Sequence, residues 1–125
     1  MRYVLIYNTT QPSSQPVLAR YCTSFLCRLR GFTFRRELDP DEAILLVQSR
    51  DSRLDAAIHM IAVWTDLSVV WINNVGDVVD LCIAQAWHPF YMPSKPARYV
   101  LEMAPGRLGT FQAGDKIKIE EVFLD

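Results

Sequence analysis

The chain is poor in the residues that most often announce a chemistry. Only two of its 125 residues are histidine and three are cysteine. His59 and His88 stand in no H-x-x-x-H or H-E-x-x-H spacing, so no metal and no cofactor are expected. Cys22, Cys27 and Cys82 make an odd set without a C-x-x-C pair, which argues against a zinc knuckle or a disulfide framework. They are expected to be reduced, buried small hydrophobes. The glycines at 31, 76, 106, 109 and 114 are scattered and build no phosphate-cradling loop. Gly-x-Ser-x-Gly and Cys-His-Asn signatures are both missing, so no catalytic residue is assigned.

Charge of one sign is also in short supply. A net charge of −1 gives no field that would draw the protein onto nucleic acid or an anionic membrane, and neither partner is expected. No apolar run approaches the roughly 20 residues of a membrane span. The opening Met1 to Tyr7 is too short and too tyrosine-rich for a secretory signal, and it reads as a strand. A cytoplasmic location is the resulting expectation.

What is present is apolar patterning. Half of the residues are hydrophobic and 22% are charged, enough for one domain over residues 1–125 with its own core. Residues 2–7 suit a strand. Leu18, Tyr21, Cys22, Phe25, Leu26 and Leu29 recur at helical spacing, and Gly31 after Arg28 and Arg30 marks a helix end. An N-terminal amphipathic helix is therefore expected from Val17. Residues 37–42 read as a turn, 43–47 as a short strand and 48–55 as a loop. Residues 58–65 fit helix or strand equally. Leu67–Ile72 and Val78–Ile83, joined by Asn73-Asn74-Val75-Gly76-Asp77, form a hairpin. Arg98–Met103 and Lys116–Glu120 alternate as strands.

An ordered set of motifs runs through this pattern. It comprises Gly31-x-x-Phe34-Arg35-x-x-Leu38, Gly76-x-Val78-Val79, Ser94-x-Pro96-Ala97-Arg98-Tyr99-Val100-Leu101-Glu102, Gly106 and Gly114-Asp115. In order and spacing it resembles the domain of unknown function 192 family, from about residue 18 onward. The resemblance implies a mainly β fold, a compact antiparallel barrel or sandwich with one or two short helices, and no assigned biochemical function. One stretch departs from the family. Ile61-Ala62-Val63 replaces a polar Lys-Asn-Thr trio, and Ser68 stands where the family carries an aspartate, which weighs against an inherited activity.

Five residues are candidates for ligand binding. Arg98 and Glu102 lie four apart on a strand and share a face; they form either a charged pair at a ligand mouth or a structural anchor. Ser94 offers a hydroxyl in the same motif, or a turn-stabilising oxygen. Trp87 and Tyr91, with Phe90 and Met92, lie in a Pro-bounded loop that either caps the sheet or presents a recognition patch. The arginines at 20, 28, 30, 35 and 36 are offset by Glu37, Asp39, Asp41 and Glu42, so a self-paired surface is expected. The reading is a domain that binds a small molecule or a protein without catalysis. The alternatives are a hydrolase-type enzyme whose groups converge only in space, and a module that dimerises through a strand edge.

Overall fold

The computed structural model describes residues 2–123. Seven strands follow in chain order: β1 Tyr3–Asn8, β2 Val17–Cys22, β3 Ala43–Ser52, β4 Leu67–Ile72, β5 Val78–Ala84, β6 Ala97–Met103 and β7 Ile117–Val122. One α-helix, α1 (Phe25–Arg30), and a 3-10 turn at Leu108–Thr110 complete the elements. The strands form one mixed sheet in the order β5-β4-β6-β3-β2-β1-β7. Neighbours run antiparallel except β2 and β3, which are parallel. At one corner the two outermost strands approach each other. There the Gly114 amide donates to the Val78 carbonyl (2.8 Å), the Val78 amide to Asp115 (2.9 Å), and the Ile117 amide to Gly76 (2.7 Å).

The expected amphipathic helix from Val17 is corrected: that segment is β2, and only six residues after it are helical. Val17 and Ala19 are buried on one face of the sheet while Leu18 is exposed, and pairing with β1 and β3 satisfies the backbone. The helical spacing in the sequence joins inward residues of a strand to Phe25, Leu26 and Leu29, which solvent reaches. Ser24 starts α1 by accepting from the Cys27 amide (3.2 Å), and Gly31 ends it at φ 48°. The turn at 23–24 between β2 and α1 brings Cys27 back to Cys22, with Cα atoms 5.7 Å apart, and the two form a disulfide. The expectation of reduced cysteines is thus corrected for this pair, and Cys82 stays free. The disulfide also removes the cysteine argument for a reducing compartment. The expected loop at 48–55 is corrected in part, because β3 continues through Ser52.

Strand β4 (LSVVWI) shows no alternation because both of its faces are covered. On one face Val4, Ile6, Leu45, Val70, Ile72 and Leu101 close a core. On the other, Ile44, Leu46, Val69, Trp71 and Val100 form a second. Each such side chain, fully buried, contributes roughly 1.5–3 kcal/mol. The second core is covered by three connections: 23–42 between β2 and β3, 53–66 between β3 and β4, and 85–96 between β5 and β6. Backbone bonds stitch them together. Ile58 and Tyr91 exchange both amide bonds at 2.9 Å, the Phe34 amide donates to Ala62 (2.7 Å), and the Trp87 amide donates to Met60 (3.0 Å). Residues 58–65 are therefore neither helix nor strand. Phe34, Ala62 and Trp87 all take positive φ (70°, 59° and 65°), so backbone strain is concentrated in this covering layer.

Candidate functional site

A cavity of about 400 Å³ opens where segment 23–42 crosses the sheet. Its floor is Leu46 and Gln48 of β3, Leu67 of β4, and Val100 and Glu102 of β6. Arg28 and Phe32 come from the crossing segment, and Asp55 and His59 from the connection between β3 and β4. The apolar positions belong to the second core, so the polar ones are conspicuous.

Glu102 is 4% exposed, and among the described residues its carboxyl meets neither a hydrogen-bond donor nor a cation. Burial alone pushes it up to about 7 from 4.5. Arg28 donates from Nη1 to Gln48 Oε1 (2.9 Å), while its Nε is buried without a partner. Nδ1 of His59 is buried and unpartnered as well. Leaving one such group unsatisfied costs about 1–3 kcal/mol. Two around one cavity, beside the unpaired Glu102 carboxyl, are therefore a departure from ordinary interior construction.

Of the five residues singled out in the sequence, Glu102 lines this cavity and the other four do not. Arg98 and Glu102 form no ion pair. The Arg98 guanidinium turns away to donate to the Gln48 carbonyl (2.9 Å), Asn74 Oδ1 (2.9 Å) and the Tyr99 hydroxyl (3.2 Å). It thereby braces the backbone of Gln48, whose side chain holds Arg28. Ser94 binds through its backbone amide to Asp80 (2.9 Å). Tyr91 is half-buried, accepts from the Gln85 amide (2.9 Å) and lies against His88 with ring centroids 4.5 Å apart. Trp87 is 48% exposed and meets Trp64 edge-on at 5.0 Å. Phe90 and Met92 also reach solvent, so the loop is more than a cap.

The arginine run is self-paired only in part. Arg35 binds Glu42 at 2.8 Å and Arg36 lies over Trp64, whereas Arg28 turns inward. Arg28, Gln48 and His59 are site residues that the sequence reading does not single out. The available signal is polarity at core positions: Gln48 closes the run Ile44-Leu45-Leu46-Val47, and His59 sits between Ile58 and Met60. No cluster of three or more metal-ligating side chains occurs among the described residues. Ser68 is buried and accepts from the Arg107 amide (3.1 Å). No helix is long and apolar enough to cross a membrane among the described residues.

The DUF192 family model, described as an uncharacterized ACR, matches residues 6–119. A UPF0127 protein of Pyrococcus furiosus is 26% identical over 113 residues, covering 89% of this chain and 94% of its own length. A second, from Thermococcus kodakarensis, is 30% identical over 115 residues, covering 90% and 71%. Among crystal structures, a candidate transcription regulator from Sinorhizobium meliloti aligns with a TM-score of 0.80 at 17% identity, over 94% of this chain and 92% of that one. A protein of unknown function from Novosphingobium aromaticivorans gives 0.76 at 18%, over 93% and 83%. At these identities the structural likeness is one of fold.

Proposed function

This chain belongs to the DUF192 family, which has no assigned activity, and we propose that it is a small-ligand-binding domain whose site is the cavity beneath α1. The reading rests on one observation: the Nε of Arg28 and the Nδ1 of His59 are buried without protein partners around the same space as the unpaired carboxyl of Glu102. A ligand that satisfies them recovers free energy that the free protein forgoes. The corner contacts between β5 and β7 support reading the sheet as a barrel, a rigid floor for such a site. Arg98 belongs to the site through Gln48, as a positioning residue. Trp87 and Tyr91 flank it from the neighbouring connection, and Ser94 lies farther along that connection.

Binding is favoured over hydrolysis by the nucleophiles on hand. Among the described residues no serine hydroxyl or free thiol hydrogen-bonds a histidine, the pairing that activates such groups. Burial and the neighbouring Asp80 push the Cys82 thiol up to about 11, which leaves it inert at neutral pH. The test is a titration of isotope-labelled protein with organic acids, nucleotides, sugars and metal ions, followed by amide shifts. The expected result is one class that moves Ile58, His59, Val100 and Glu102 together. Shifts confined to Trp87–Met92, or none with any class, would discard the cavity.

Association is the second reading, supported by a different feature. Phe25 and Leu26 are 70% and 74% exposed, and Phe34 lies near them on the same connection. Sedimentation of the native protein against Leu26→Asp distinguishes a dimer built on that face from a monomer.

A further inference from the structure

We infer that the cavity takes a monocarboxylic acid with an apolar body, its carboxylate held by Arg28. This rests on the cavity being the ligand site and adds the class of ligand.

The charges around the space decide its sign. Arg28 and Arg30 come from α1, and Asp55 and His59 from the connection between β3 and β4; β3 and β4 contribute no charged side chain, and β6 contributes Glu102. Asp55 already has Arg50 at 3.8 Å. Beyond Gly31, Arg20 and Arg35 share a second depression with Arg30, where Arg35 is matched by Glu42. Glu102, buried without a donor, holds its proton through most of the range below neutral pH. What is left uncompensated is positive, and the Nε of Arg28 is its buried, unpartnered donor.

A carboxylate suits that donor, since a guanidinium recognises a planar pair of oxygens. Protonated Glu102 then adds an O–H donor, and His59 Nδ1 a further polar contact. An amine would meet two arginines. The remaining wall (Phe25, Phe32, Leu46, Val63, Leu67 and Val100) accepts hydrocarbon. One anionic end and an apolar body account for both parts of the lining.

Three probes of equal length separate the class from the site: octanoate, octanamide and octylamine, titrated into the native protein at about pH 6. Octanoate is expected to move the amides of His59, Val100 and Glu102 and to bind roughly tenfold or more tighter than octanamide, the value of a charge-assisted hydrogen bond. Arg28→Gln, a change at a half-exposed helix position, is expected to erase that difference. Octanoate affinity is expected to fall above pH 7 in the native protein and not in Glu102→Gln. Equal or tighter binding of octanamide or octylamine at the same amides overturns the carboxylate assignment and leaves the cavity as the site. Shifts only at Leu26 and Phe34, or none with any probe, overturn both.

Discussion

A β-carbon placed on Gly31 would stand 2.9 Å from Oε1 of Glu102, and the Gly31 backbone sits at φ 48°. The end of α1 is thus fitted to the buried carboxyl beneath it, and glycine is required twice, for conformation and for space.

Gly31→Ala is expected to destabilise the protein by about 1–3 kcal/mol through strain and displacement of the carboxyl. Gly106→Ala supplies the comparison, because Gly106 shares a positive φ and an added β-carbon there would meet nothing within 4 Å. Urea unfolding of both variants measures the difference. Equal losses would mean that the contact with Glu102 costs nothing.

Glu102 gives stability an unusual pH dependence. Its pKa in the folded protein, about 7, lies above the ordinary 4.5, so the folded state holds a proton that the unfolded chain releases between those values. Its contribution is complete at and below the lower value and is lost as pH rises toward neutrality, with a span of roughly 3 kcal/mol. Denaturation midpoints at about pH 5 and pH 8 are expected to fall in the native protein and to stay level in Glu102→Gln. A native midpoint that rises with pH would contradict the burial of this group.

Asp115 works in the opposite sense. Burial would raise its pKa, but hydrogen bonds from Asn8 Nδ2 (2.7 Å), the Gln112 amide (2.9 Å) and Gln11 Nε2 (2.8 Å) outweigh it and hold the carboxyl below its usual range. These bonds tie the end of β1 to the turn before β7. Asp115→Ala is expected to cost about 2–3 kcal/mol and to remove part of the stability lost on acidification below the ordinary carboxylate range. Thermal melts across mildly acidic pH read both effects.

Reduction of the Cys22–Cys27 bond is expected to lower stability by about 2 kcal/mol, the chain-entropy value for so short a loop. Melts with and without dithiothreitol, beside Cys27→Ser, test it. The serine variant should melt low in either buffer and be insensitive to reductant.

The hairpin of β4 and β5 is legible in the sequence from its turn chemistry and β-rich flanks, and β7 from its alternation. Asn73 and Gly76 set the reversal, while β6 is read from its β-rich composition and is buried on both faces from Val100 to Met103. The segment from Val17 misleads because β2 and α1 abut with one residue between Cys22 and the capping Ser24, and their apolar residues merge into one false helical period. Glu102 is legible from its motif, but Arg98, the partner its spacing suggests, faces away. Same-face spacing on a strand does not say whether two long side chains reach toward each other. Arg28 and His59 come from connections whose path depends on backbone bonds between distant segments, such as Ile58 to Tyr91, and no local pattern encodes those.

The parallel step from β2 to β3 has a dynamic corollary. A tight turn cannot make it, so the chain must leave the sheet and return in the same direction. Segment 23–42 is that excursion, and its helix buries no residue. Amide hydrogens of β3, β4 and β6 should exchange only with global unfolding, whereas those of α1 exchange through local fluctuation. The proposed binding space would accordingly be bounded by central strands on one side and a freely fluctuating crossover on the other, and a ligand would enter by displacing the crossover without breaking a strand.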